Sequence, residues 1–475
     1  MAEPRQTSTD VVVDIIWRLA AERESFTSDD IRPLLPSGIG PRSIPAAVGK
    51  ARRDGIVEEV DRVKSVIPER KGSLVPVLRR PGSHLANSDP DSTSGSALGT
   101  AGSLTGLASE IVALKDHLNK TGYVCGVEEV ATFLLLAASR NWVILSGPSG
   151  TGKSSLVRRV AEALDGVFHD IQVKPNWVSS EDSLGYFSEV SQTFVPGVIL
   201  NALQSAQSDP DRLHFVRLDE MNLASPEYYL AEVLSGGESW QLDELGRPQS
   251  DVIQLPPAPL GVSRPQVRIH NNVFMIGTVN VDETTRALSP KVLDRSAVFD
   301  LHHVDLFASP APLEPNNAPE PPALPHIRGL LADRPHSLTA LGASNDEIES
   351  AALLLSPLGE VGGILGGPIG YRQRDALVTM LALGTRHGLT DVLSPDTILD
   401  IGLRSIVLPK WQGSTPASRA ALRHALAVLL DIDVPDDAST DSLQAKARLS
   451  RFPRSCEKVL AMIHQFNSLG YFSAW

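Results

Sequence analysis

The sequence predicts an α/β protein: a P-loop core with a parallel sheet flanked by helices, a helical lid after it, and a small α+β head before it. Three observations carry this. Residues 142–154, WVILSGPSGTGKS, run an apolar strand into a glycine-rich turn and a helix. HFVRLDE, residues 214–220, closes a second, mostly apolar strand on two adjacent carboxylates. VFMIGTVN, residues 273–280, closes a third on an asparagine. Strands buried on both faces read as near-continuous apolar runs, and in open parallel sheets the chemistry gathers at their carboxyl ends.

The head occupies residues 1–80. Apolar residues recur at helical spacing from Val11 to Leu19, TSDDIRPLLP offers Thr27 or Ser28 as a cap for a second helix, and RSIPAAVGKARRDG reads as a third ending at Gly55. IVEEV, RVKSVI and LVPVLRR follow as short runs with partial alternation. Three helices and a hairpin resemble a winged helix. That resemblance puts Arg42, Lys50, Arg52 and Arg53 on or beside a groove-entering helix, and Lys64, Arg70 and Lys71 on a wing, as phosphate contacts for DNA. Glu58, Glu59 and Asp61 oppose such a field, and a protein partner is the competing reading.

Two composition breaks set further boundaries. Residues 81–104 are Gly, Ser and Thr rich and read as a flexible tether; residues 310–325 are proline rich and read as a stiff connector. They separate a nucleotide-binding core at 105–309 from a helical lid at 326–475. Residues 1–80 carry 14 of the 43 Lys and Arg and 12 of the 56 Asp and Glu, leaving an acidic remainder of 29 against 44. The two cysteines, Cys125 and Cys456, offer neither a disulfide framework nor paired metal-ligand spacing. No secretory signal is legible and no apolar run reaches the roughly 18 residues of a membrane span, so a reducing cytoplasm and no membrane are expected.

In the core, Gly147, Pro148, Ser149, Gly150, Thr151, Gly152, Lys153 and Ser154 fit the P-loop pattern, with Ser155 continuing into the helix. Glycines let successive backbone N–H groups converge on phosphates, and the helix N-terminus adds positive potential. Lys153 is expected on the β- and γ-phosphates and Ser154 on Mg2+. Asp219 is placed to accept from the magnesium shell and Glu220 to polarise the attacking water. If the strand that ends on Asn280 lies between the other two, Asn280 emerges beside the γ-phosphate and orients that water. Arg295, beyond a short helix, could reach the nucleotide of a neighbouring subunit, with Lys291 as the competing candidate.

This succession resembles AAA+ ATPases, in which the polar strand end is called sensor 1. Within that class, VKPNWVSSEDSLGYFSEVSQTFVPG (173–197), LDEMNLASPEYYLAEVLS (218–235), GTVNVDETTRALSPKVLDRSAVF (277–299), IGYRQRDAL (369–377), VLPKWQGS (407–414) and FPRSCEKVLAMI (452–463) together are similar to the motor of the McrB-like family. The resemblance covers roughly residues 105–475. It implies that Asp219 and Glu220 are the Walker B pair, Asn280 is sensor 1, Arg295 is an arginine finger, and Arg372 or Arg374 is the lid arginine called sensor 2, in contact with nucleotide. It further implies an extra hairpin within 180–197, a homo-oligomeric ring of hexamer type, ATP or GTP as substrate with Mg2+, and a separate McrC-like nuclease partner in restriction or antiphage defence. Glu283 and Thr284 depart from the Asp and Arg that GTP-using members carry, which leans the expectation to ATP. The chain itself shows no nuclease motif, no His/Cys metal cluster and no Gly-x-Ser-x-Gly elbow. A MoxR-type chaperone, remodelling a protein, and a nucleotide-gated scaffold are the alternatives.

Overall fold

The computed structural model describes residues 106–140, 142–259, 261–280, 286–301, 319–335, 337–435 and 440–474, and in the first 80 residues positions 12, 15, 16, 19, 26, 27, 31, 32, 47, 48, 51, 58–64 and 74–79. Residues 1–99 and 100–475 form two separate compact units.

The first unit carries an antiparallel sheet of β1 (Phe26–Thr27), β2 (Glu58–Lys64) and β3 (Leu74–Arg79), in the order β1-β3-β2. β2 and β3 make the expected hairpin, with a register irregularity between Glu59 and Asp61. β1 was not expected: Phe26 and Thr27 pair with Leu78 and Val77, so Thr27 is a strand residue. Two residues carry no periodicity by which a strand can be read. Val12, Ile16 and Leu19 are helical and buried, the i, i+4, i+7 spacing of a core-facing stripe. Lys64 ends β2; Arg42, Lys50, Arg52, Arg53, Arg70 and Lys71, Ser28, and the tether, lie outside the described residues.

The second unit is built on five parallel strands: β4 (Trp142–Gly147), β5 (Val167–Gln172), β8 (His214–Asp219), β11 (Val273–Asn280) and β12 (Ser296–Asp300), in the order β12-β4-β11-β8-β5. All six residues of β4 are buried. Its odd-numbered Val143 and Leu145 join one apolar cluster and Trp142 and Ile144 the other, because successive side chains of a strand point to opposite faces.

Helices α1 (Leu107–Lys120), α2 (Val127–Ser139) and α3 (Lys153–Ala163) cover the first face. On the second face α4 (Ser180–Leu184) runs into the hairpin β6 (Gly185–Ser188) and β7 (Thr193–Pro196), and α5 (Val198–Ser208), α6 (Pro226–Tyr229) and α7 (Ala231–Gly236) follow. The extra hairpin within 180–197 is therefore present. A second hairpin, β9 (Trp240–Leu242) with β10 (Pro248–Ser250), turning at the positive-φ Gly246, was not read from the sequence.

After the one-turn α8 (Pro290–Leu293) and β12, the chain is mainly helical: α9 (Pro325–Ala332), α10 (Leu338–Leu341), α11 (Asn345–Ile364), α12 (Tyr371–Arg386), α13 (Pro395–Gly402), α14 (Pro416–Leu430), α15 (Thr440–Arg448) and α16 (Pro453–Leu469), with one short antiparallel pair, β13 (Gln412–Gly413) with β14 (Phe472–Ser473). Side chains set the boundaries: Ser344 and Glu347 form a reciprocal capping box on α11, and Ser337, Ser394 and Thr415 cap α10, α13 and α14. Trp411, fully buried, packs in the same cluster as α1–α3, so lid and core share one apolar interior. The proline-rich connector is described only from residue 319. Among the described residues no helix is long and apolar enough to cross a membrane.

Candidate active site

β4 ends at Gly147, where a Cβ would stand 2.3 Å from the Leu301 carbonyl oxygen and φ is +154°, so glycine alone fits. Pro148, Ser149 and Gly150 are exposed at the crest of the loop. Thr151 Oγ1 donates to the Pro148 carbonyl at 3.0 Å and tightens the turn. Gly152, left-handed at φ +85°, starts α3, and a side chain there would strike the ring of Tyr123 at 2.8 Å. Tyr123 is held in turn by Glu129, whose carboxylate accepts from its hydroxyl at 2.8 Å. Ser155 Oγ accepts from Arg159 Nε at 3.2 Å one turn on.

Lys153 is buried, and its Nζ donates to the Gly147 and Pro148 carbonyls at 2.8 and 2.6 Å. Burial lowers its pKa, while the charges of Asp219 and Glu220 work to restore it. Ser154 Oγ donates to Asp219 Oδ1 at 2.8 Å across the β4/β8 gap. The hydroxyl and carboxylate that the sequence assigns to magnesium are thus already in contact, which is the oxygen donor set a hard divalent cation takes.

The gap exists because β11 lies between β4 and β8, pairing Asn280 with Gly147 and Gly277 with Leu218. Thr278, two residues before Asn280 and on the same face, donates to Asp219 Oδ1 at 2.8 Å and accepts the Glu220 N–H at 3.0 Å. Glu220 sits in left-handed backbone at φ +52°, a conformation that costs a non-glycine residue about 1–3 kcal/mol and clusters at functional sites. Asn280 Nδ2 donates to Glu220 Oε1 at 3.2 Å, so the candidate water-orienting and water-polarising groups converge at the strand ends. Asn222 reaches from the turn after β8 to the Arg286 carbonyl at 3.3 Å and backs this edge. Thr278 was missed in the sequence, although its i−2 spacing from Asn280 is the signal that finds it. Residues 281–285, with Glu283 and Thr284, lie outside the described residues.

Arg295 is elsewhere. It immediately precedes Ser296, which pairs with Trp142 at the first residue of β4, so it stands at the opposite end of the sheet from Gly147, about 20 Å along the strand. Its guanidinium contacts Glu238 and donates to the Lys291 carbonyl at 2.7 Å. The Lys291 side chain belongs to an exposed residue.

Arg372, one of the two lid arginines expected to contact nucleotide, joins Arg295 at this far end: it contacts Asp294 and lies 3.5 Å from Glu238. Gln373 and Lys410 bond Asp294 at 2.7 and 3.2 Å. Burial works to raise the Asp294 pKa, but Lys410 and Arg372 outweigh it and hold the carboxyl below its ordinary range. Arg140, Arg334, Trp142 and Trp240 complete a cavity of about 210 Å3 around Arg295 and Arg372. Burial pushes Arg140 down to about 10 and Arg334 to about 9. Arg374 pairs with Asp375 at 2.7 Å and lies over the Tyr371 ring, with no P-loop contact. Helix α12 begins at Tyr371, and its first turn carries Arg372 to Asp294, at the start of β12.

Residues 142–295 match the family model of the AAA domain, dynein-related subfamily. That stretch opens on the first residue of β4 and closes on Arg295, and encloses every residue of the strand-end cluster. A crystal structure described as a "putative ATPase" from Cytophaga hutchinsonii superposes at a TM-score of 0.43 with 15% identity, over 64% of this chain and 87% of that one. No curated protein matches the sequence.

Proposed function

We propose, from the premise of an AAA+ P-loop ATPase, that the chain works as a homo-oligomeric ring, of hexamer type, that hydrolyses ATP with Mg2+ and uses the energy to translocate on or remodel DNA for a separate, McrC-like nuclease in restriction or antiphage defence. Ser154 and Asp219 hold the metal, Lys153 neutralises the phosphates, and Glu220 and Asn280 orient and polarise the attacking water. Each acts where charge develops as the γ-phosphoryl group leaves.

The observation that carries the ring is the separation of Arg295 from Lys153 along the strand direction. An arginine that far from its own P-loop can meet a nucleotide only if a second subunit brings one to it, as a head-to-tail interface does. Arg372, beside it, then serves the same neighbour's nucleotide. The McrB-like reading is supported by the motif order and by the β6/β7 hairpin, which exposes Val190 at its tip and Tyr186 on its flank. Residues 1–80 supply the DNA or partner contact.

The test is turnover of ATP and of GTP by the full chain and by residues 105–475, with and without duplex DNA, at low and physiological salt. ATP turnover stimulated by DNA, and losing that stimulation with the head, is the expected result. Turnover indifferent to DNA and to the head replaces this reading with remodelling of a protein client.

A further inference from the structure

We propose that Arg217 is a positioning residue that sets the magnesium requirement of the site by acting as a tethered counter-charge to Asp219. It precedes Asp219 by two on β8, hence on the same face, and is 5% exposed in a strand otherwise apolar through its middle. Its guanidinium is shared three ways. Nη1 donates to the Ser154 carbonyl at 2.9 Å, inside the first turn of α3. Nη2 donates to Asp170 Oδ1 at 2.6 Å and lies 3.6 Å from Asp219 Oδ2. Asp170 is its register partner on the neighbouring strand β5.

The two oxygens of Asp219 are thereby made unequal. Oδ1 takes the hydroxyls of Ser154 and Thr278, and Oδ2 faces the guanidinium. A fixed cation 3.6 Å from a carboxylate competes with a metal for its charge, and the competition is strong away from bulk water. Asp170 draws the same cation the other way. Magnesium affinity then depends on how Arg217 divides itself between the two carboxylates, while its bond to the Ser154 carbonyl keeps the P-loop helix aligned with β8.

This inference rests on the reading of Ser154 and Asp219 as the metal-binding pair, and it predicts opposite signs for two substitutions. Removing the cation in Arg217→Met frees Asp219 for the metal; removing its rival in Asp170→Asn releases Arg217 onto Asp219. The experiment titrates Mg2+ into the full chain, reading binding of a fluorescent ATP analogue and ATP hydrolysis. Half-saturating Mg2+ is expected to fall roughly three- to tenfold in Arg217→Met, with a lower kcat, and to rise by a similar factor in Asp170→Asn. Arg217→Lys, which keeps the charge, stays nearer the wild type than Arg217→Met. Shifts in the same direction, or none, overturn the proposal, and Asp170→Asn alone decides it if Arg217→Met does not fold. A wild-type chain that binds and hydrolyses ATP without regard to Mg2+ removes the metal-site reading itself, whereas a magnesium-dependent wild type with unshifted variants removes only the role of Arg217.

Discussion

Glu220 combines an exposed carboxylate with left-handed backbone, and three bonds hold it there: its N–H on Thr278, its carboxylate on Asn280 Nδ2 and its carbonyl on the Leu223 N–H. Glu220→Gln keeps the shape and removes the base. ATP should still bind, and kcat should fall by about 100-fold or more, read as phosphate release against nucleotide affinity. Arg295→Ala should spare affinity equally and lower kcat by roughly 1,000-fold; turnover at the wild-type rate would remove the finger assignment. The P-loop, the acid pair and Asn280 were legible because each ends an apolar run with a polar group that has no reason to be there unless chemistry needs it. Arg217 was not, since it sits inside such a run and gains its meaning only from Ser154 and Asp170, 63 and 47 residues away in sequence, whereas Thr278 had its spacing of two from Asn280 to mark it.

At the scale of elements, β11 makes the site by lying between β4 and β8, and Gly277 lets it do so. A Cβ on Gly277 would stand 2.0 Å from Met221 Sδ, in the turn that carries Glu220 away from β8. Gly277→Val should therefore cost about 1–3 kcal/mol in urea unfolding through overpacking, and Met221→Ala in the same chain should recover part of it. The long apolar strands were readable from composition and length. The two-residue β1 and the three-residue β9 and β10 were not, because strands so short carry no alternation and are held by their partners. The place of Arg372 was hidden for another reason: the sequence puts IGYRQRDAL in a helical lid, and packing alone decides which end of the sheet the first turn of α12 meets.

Across the second unit, Asp294 ties the start of β12 to the lid through Arg372, Gln373 and Lys410. Its folded pKa lies below the unfolded one, so its contribution to stability is complete above the ordinary carboxylate range and is lost as pH falls through the lowered value. Unfolding midpoints measured down an acid series should drop less steeply for Asp294→Asn than for the wild type. The larger consequence belongs to the roughly 20 Å between Gly147 and Arg295. In the proposed ring, a chain with its P-loop and its arginine at opposite ends of the sheet cannot repair itself, but it can repair a neighbour. Lys153→Ala and Arg295→Ala preparations, each inert alone, should regain turnover when mixed, because about a quarter of randomly formed junctions would join an intact P-loop to an intact arginine.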